Sequence, residues 1–452
     1  MRGPPLPDHA PLHLAEPSLQ VTEEADGCII LHQNTDDLGP VPRGLGQWLR
    51  WHDRRKPERI ALITGDGPRG AIRRLRNGEA GRMVDAIAQS LLDTGLEEGR
   101  PLLVFARGGV EAYCLTLAGY LAGVPVALAD ASLLDRRFDA ARLAQLIALV
   151  QPGMIHCTDG LAARPALARL ALPRRLRVTA GAEDFARLVG HPVRQELAEA
   201  AQRLHPDRIA RILIEERPEQ PPRLLAFSHR ALTRQAQALA MIWPFLAAPG
   251  CTGIALPTDW SRGDTGMALL HLAVLLGLPI HCGHPRQASR EQAGVLAARP
   301  DDLAGWADAP DADLRLSEAQ ALISLGGAIP ADAGDRLGRV ALGARGDIPP
   351  MLALWGPAES GGACFATHWP SPVEGSIGLP VPGMTARLVP SAATGLFALD
   401  LSGAGLAAGI WNGGGVDAFA LDADGYLETK PAMEAAWAGD WVQGLRFAGR
   451  FA

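Results

Sequence analysis

The sequence predicts an α/β protein built as two stacked doubly wound sheets in an αβαβα arrangement, followed by a small β-barrel-like subdomain. Three observations carry this. From about residue 40 to residue 375, short apolar runs of strand length alternate with helical stretches. That alternation occurs in two successive sets, and beyond Gly375 the texture changes to short strands separated by Gly, Pro and Asp turns. Strand-helix alternation implies parallel strands with helices covering both faces, whereas short strands with turn residues between them imply an antiparallel unit.

Each element follows from its own pattern. Residues 1–40 read as an N-terminal extension and 41–205 as the first doubly wound subdomain. Within the latter, "GRMVDAIAQSLLDTG" places Met83, Ile87, Leu91 and Leu92 on one helical face, and "PLLVFA" (101–106) has strand length. "VEAYCLTLAGYLAG" is helical again and "VPVALAD" returns as a strand. Residues 206–375 read as the second subdomain. Its strands are expected at 208–214, 252–257, 278–282, 321–327 and 351–356, with helices from about Ser228 to Ile242 and Thr265 to Leu276. Residues 376–452 form the small β subdomain, and ligands in such sheets bind in the crevice at the strand carboxyl ends.

Composition narrows the function classes. The 452 residues are 48% hydrophobic and 20% charged, enough for one large core or several smaller ones. Forty-three basic against 49 acidic residues give a net charge of −6 without a basic block, so nucleic acid is not an expected partner. Lys56 and Lys430 are the only lysines, which leaves few candidates for ammonium chemistry. The amino terminus lacks an apolar core with a small-residue cleavage site, and runs such as "LTLAGYLAGVPVALA" are interrupted by Gly and Pro and fall short of the roughly 20 residues of a membrane span. A cytoplasmic location is the resulting expectation. Cys28, Cys114, Cys157, Cys251, Cys282 and Cys364 form no CxxC pair and fit buried thiols. "HCGH" (281–284) follows an apolar run and reads as the end of a buried strand rather than a metal site.

The stretch "ILIEERPEQPPRLLAFSHRAL" (212–232) looks like strand, loop and helix, the layout of many nucleotide sites. Its loop nevertheless contains three glutamates, three prolines and no glycine. Other words surround it: "LGPVPRGLGQWLRWHDRRKPERIAL", "SLGGAIP" (324–330), "ALWGPAESG" (353–361), "THWPSPVEGSIGLPVPGMTARLVP" (367–390), "GIWN" (409–412) and "DADGYLETKP" (422–431). In this order and combination the chain resembles the AMP-forming acyl-CoA synthetases and adenylating enzymes, most closely their feruloyl-CoA synthase branch, over nearly its whole length. The resemblance implies the large N-terminal domain of that fold, with ATP, magnesium and coenzyme A as the family's cofactors and an acyl or aryl carboxylate as substrate.

Carried over residue by residue, the resemblance implies departures from the family pattern. The family's Ser/Thr/Gly-rich phosphate loop ending in Pro-Lys corresponds to Glu215, Glu216, Arg217, Pro218, Glu219, Gln220 and Pro221, with Pro222 retained and Arg223 in place of the lysine. Prolines remove N–H donors and carboxylates repel a triphosphate, each like-charge approach costing on the order of 1 kcal/mol even when screened. The family's Thr-Glu pair reads Ala358-Glu359, leaving Glu359 as the one family-equivalent magnesium ligand. Its ribose carboxylate position is Pro431 and its ribose arginine is Arg450. Gly326, Gly327, Ala328 and Gly356 stand at the nucleotide-binding turns, and Trp260, Trp355 and Ala363 line the implied acyl or aryl pocket, Trp260 replacing a histidine. The chain stops just past Arg450, before the family's C-terminal lid domain with its catalytic lysine, so that domain is expected to be absent.

Three functions fit these features. The first is a pseudoenzyme that binds an acyl or aryl molecule or a partner protein without adenylating. The second is an ATP-independent acyl-transfer or hydrolytic enzyme reusing the pocket, for which Asp259, Ser261, Arg262, Asp264 and His368 are candidates by placement, with no GxSxG elbow. The third is a carboxylate-CoA ligase completed by a separate lid protein.

Overall fold

The computed structural model describes residues 9–34, 38–65, 72–97, 99–135, 139–217, 220–257, 259–260, 264–282, 293–370, 375–437 and 439–451. Among them, two sheets and twelve α-helices form an α/β body. The smaller sheet has eight strands. Leu102–Phe105 lies third from one edge, parallel to Val126–Ala129 on one side and to Met154–Cys157 on the other. All three are fully buried; the first two appear in the sequence as unbroken apolar runs, while Met154–Cys157 carries the buried His156. Helix Gly109–Ala122 makes the first crossover and stops at Gly123, whose left-handed φ of 71° a glycine adopts without strain.

The larger sheet has fifteen strands. Ile60–Thr64, Ile280–Cys282, Ile254–Leu256, Val295–Ala298, Ala321–Leu325 and Met351–Trp355 lie side by side and parallel. The two-residue strand Phe365–Ala366 then passes the sheet into an antiparallel set running from Ser376–Pro380 to Leu19–Glu23. Strands Leu19–Glu23 and Ile29–Gln33 return against Asp440–Arg450 and Ser376–Pro380, curling this set into a barrel-like unit.

The layers follow from side-chain alternation. Val104 faces the main core while Leu103 faces a second cluster, and Ile323 and Leu322 divide in the same way in the larger sheet. The main cluster runs from Leu102 and Val104 through Leu115, Leu239 and Leu269 of three helices to Ile254 and Ile323, so helices fill the space between the sheets. Leu146 and Ile147 cover the outer face of one sheet, and Leu303 and Leu337 that of the other, giving the expected αβαβα stack.

Sheet membership crosses the sequential order in four places. The strand expected at 208–214 to open the second unit is Ile209–Arg217 of the first sheet, parallel to Val126–Ala129. Ile60–Thr64 and Arg73–Arg76, from the earlier part of the chain, join the larger sheet. Residues 19–33, expected as an extension, supply two strands to the barrel-like unit, and Gly409–Trp411 leaves that unit to pair with Gln220–Ser228. A fully buried strand carries the same apolar pattern in either sheet, so the crossover geometry alone decides its neighbours.

Candidate functional site

The phosphate-loop position is a tight hairpin. Ile209–Arg217 and Gln220–Ser228 run antiparallel with Arg217 opposite Gln220, so only Pro218 and Glu219 connect them, and these two lie outside the described residues. The Arg217 guanidinium donates twice to the Pro221 carbonyl, at 3.1 and 2.9 Å, binding the second strand back onto the first. A phosphate cradle needs several successive N–H groups converging on one point. Here the flanking residues are committed to a β-ladder instead.

Near the turn of the hairpin, opposite Glu215, Arg223 is held between two carboxylates. Its Nε donates to Glu215 at 2.6 Å and a terminal nitrogen donates to Glu359 at 2.6 Å. The three side chains are 26%, 16% and 13% exposed, so all are largely withdrawn from water. Burial works against the guanidinium charge, but the hydrogen bonds to Glu215 and Glu359 outweigh it and hold the Arg223 pKa above its ordinary value. One cation between two carboxylates leaves the cluster with net negative charge. Glu216 is engaged separately, accepting from Arg142.

Glu359 is positioned by the turn after strand Met351–Trp355. Gly356 is required there, because a Cβ would stand 2.3 Å from Ser360 Oγ and 3.0 Å from the backbone nitrogens of Ala363 and Cys364. Ser360 Oγ donates to the Pro357 carbonyl at 2.8 Å, and Gly361 closes the turn at φ 60°. Ala358, at the expected α-phosphate hydroxyl position, is buried and offers only a methyl group.

The remaining candidates divide between the site and the scaffold. Trp355 is buried and stacks in tilted contact with Phe365 and Phe447, ring centroids 5.7 and 5.2 Å away. Ala363 and Trp260 are each 1% exposed, and the Trp260 indole N–H has no partner among the described residues. Gly326 sits at φ 90° just past strand Ala321–Leu325, its N–H donating to Leu354, with Gly327 and Ala328 following in the same exit. Pro431 and Arg450 face each other across two antiparallel strands, so the two expected ribose positions are brought together; Arg450 is exposed and Pro431 accepts nothing through its ring.

His368 is bound into the scaffold: its Nδ1 donates to the Ala15 carbonyl at 3.0 Å and its Nε2 accepts from Gln33 at 2.9 Å. Burial lowers its pKa. Asp259 forms an ion pair with Arg299 at 3.3 Å, whereas Ser261, Arg262 and the side chain of Asp264 lie outside the described residues. His281 is the middle residue of the buried strand Ile280–Cys282, and Gly283 and His284 also lie outside. The six cysteines are free and buried. Among the described residues, the one group of ligand atoms close enough for a metal is Glu24, Asp26 and Cys28 in the turn between the first two strands.

The residues present do not fit magnesium-bound ATP. Glu359, the carboxylate expected to meet magnesium, is paired with Arg223, and Arg223, expected in place of the loop lysine, is paired with both Glu359 and Glu215. The turn between the strands lacks the length to wrap a triphosphate. What remains chemically is a set of buried apolar side chains of the main core, Trp260, Trp355 and Ala363 among them, and a paired charge cluster that keeps one net negative charge.

Comparison with known proteins agrees with the fold. The chain aligns over 90% of its length with ATP-bound MatB from Rhodopseudomonas palustris (TM-score 0.68, 18% identity, 79% of that chain covered). It aligns equally with the inhibitor-bound N-terminal domain of FACL13 from Mycobacterium tuberculosis (0.72, 15%, 90% of this chain and 100% of that one). The luciferase-like enzyme of the nonluminescent mealworm Zophobas morio covers 95% of the chain and is itself covered to 99%, at TM-score 0.74 and 17% identity. At such identities the likeness establishes fold alone, and no curated protein matches by sequence. The model of the AMP-binding enzyme family matches residues 49–403, and with that span the chain belongs to the AMP-binding enzyme family.

Proposed function

We propose that this acyl-CoA synthetase-like protein, nearest in its sequence words to the feruloyl-CoA synthase branch, has lost ATP-dependent adenylation and acts by binding an acyl or aryl ligand or a partner protein. The observation that carries this is the pairing of Arg223 with both Glu215 and Glu359 beneath a proline-bearing hairpin. Adenylation needs a triphosphate held in line with the attacking carboxylate, its charge spread over cations and donors. Here the cation is neutralised, the hydroxyl position is Ala358, and the ribose position is Pro431. Removing one preorganised donor costs about 10² to 10³ in rate, and although losses within one unit do not add simply, several together leave no measurable turnover.

The interior around Trp260, Trp355 and Ala363 supports an apolar ligand, shortened by the indole of Trp260. The test is carboxylate-dependent ATP–pyrophosphate exchange by the full chain over hydroxycinnamic and medium-chain acids. Exchange at background is expected. Exchange above background that vanishes in Glu359→Gln would instead support a ligase completed by a separate lid protein.

A further inference from the structure

Helix Gly46–Arg55 buries one side and leaves another unmatched. Leu49 and His52 face inward, the His52 Nε2 donating to the Leu275 carbonyl at 3.1 Å. The outward residues form one wall of a groove of about 850 Å³, and helix Gln195–Arg203 contributes the other. Four arginines, Arg43, Arg50, Arg54 and Arg55, and two tryptophans, Trp48 and Trp51, line it, and no Asp or Glu does. In a protein of net charge −6 this is a local reversal of sign.

Two of the arginines are engaged: Arg50 with Asp85 at 2.8 Å and Arg43 with the Gln202 carbonyl. Arg54 and Arg55 are exposed and no salt bridge holds either among the described residues, although the charge of Arg54 is felt by the neighbouring Asp53 carboxyl. Arg55 instead lies over the ring of Trp51, 4.4 Å from its centroid, and Trp51 is 47% exposed. An indole left open under a guanidinium offers apolar area and a cation at the same point, the combination that dominates binding hot spots.

We propose that this groove docks an acidic amphipathic helical segment of a partner protein. Positions four apart on a helix repeat every 6 Å or so, which is the spacing of Trp51 with Arg55, and Arg54 stands beside them; Arg50, four positions before Arg54, is already held by Asp85. A partner helix that brings carboxylates to Arg54 and Arg55 and an apolar stripe to Trp51 matches this face, and this charge complementarity steers association and fixes register. The assignment is independent of whether the nucleotide site turns over.

The experiment uses the full chain and a fluorescein-labelled helical peptide of about four turns, with Glu at i, i+4 beside a Leu/Phe stripe. A scrambled peptide of equal composition and a single-stranded oligonucleotide are the comparators, read by anisotropy at low ionic strength. The patterned peptide binds saturably in the micromolar range and weakens as salt is raised. Arg54→Glu/Arg55→Glu and, separately, Trp51→Ala each weaken it about tenfold, while Arg164→Glu on a distant exposed helix does not. Unchanged melting curves of the variants exclude misfolding. The proposal is overturned by three results: no saturable binding, binding indifferent to these substitutions, or equal binding of the scrambled peptide or the oligonucleotide.

Discussion

Replacing Arg223 by Gln removes the cation between Glu215 and Glu359 while keeping most of the side-chain volume. Each carboxylate oxygen lies 2.6 Å from the guanidinium, so without it two negative charges face each other across a largely buried gap. At a separation on the order of 6 Å and an effective dielectric of 20 to 40, their repulsion is roughly 1.5–3 kcal/mol. Two charge-assisted hydrogen bonds are lost as well, and removing one partner of a buried pair costs about 3–5 kcal/mol. The residual exposure of Arg223 lowers that figure, so the expected loss is about 3 kcal/mol at neutral pH. Urea denaturation of wild type, Arg223→Gln, Glu359→Gln and the double variant measures it. Glu359→Gln alone costs about 1 kcal/mol, because Arg223 keeps Glu215, whereas in the Arg223→Gln background the same change stabilises by relieving repulsion. Equal effects of Glu359→Gln in both backgrounds would refute the coupling of the three groups.

Other outcomes follow from the burial of single groups. His229, His271 and His281 are neutral in the folded chain: burial takes His229 to about 3, His281 to about 4 and His271 well below its ordinary value. Since these folded pKa values are depressed, the stability they contribute is intact above the unfolded value of 6.5 and is lost as pH falls below it, at up to about 1.4 kcal/mol per pH unit for each histidine. Denaturation midpoints measured from pH 7.5 downward therefore fall, and His271→Gln flattens the slope; a slope unchanged in that variant contradicts the assignment. Gly356→Ala forces a Cβ against Ser360 Oγ and costs about 1–3 kcal/mol, seen as a lower melting temperature. Trp260→Ala costs about 3–5 kcal/mol and opens space in the interior, part of which hydroxycinnamic or medium-chain acids restore as a rise in melting temperature. If no such acid or its coenzyme A ester shifts the melting temperature of either wild type or Trp260→Ala, the interior is packed solid and the protein acts through its surface.

The fold class is legible in the sequence because buried parallel strands such as Leu102–Phe105 and Met351–Trp355 are continuous apolar runs between helical stretches. Helix limits were close as well: the helix expected from Ser228 is His229–Ile242, with Ser228 as its N-cap, accepting from the Ala231 N–H. Strand partners were not legible, since Ile209–Arg217 and Ile60–Thr64 have the same pattern whichever sheet receives them. At the site, the glutamates close to Arg223 in the sequence are visible, and Glu215, one of them, is a partner of Arg223 in the structure. Its second partner, Glu359, lies 136 positions away in a different sheet's turn, and no local pattern announces that contact. His368 shows the converse, a residue whose placement suggested chemistry but whose two ring nitrogens serve Ala15 and Gln33.

The most direct measurement is a calorimetric titration of the intact protein with magnesium–ATP. With Arg223 neutralised by Glu215 and Glu359 beneath the hairpin, no saturable heat is expected up to millimolar nucleotide, and none should appear when an aryl or fatty acid is added first. Saturable binding below a millimolar, lost in Glu359→Gln, would show that the two ion pairs open to admit ATP and that the nucleotide site is in use.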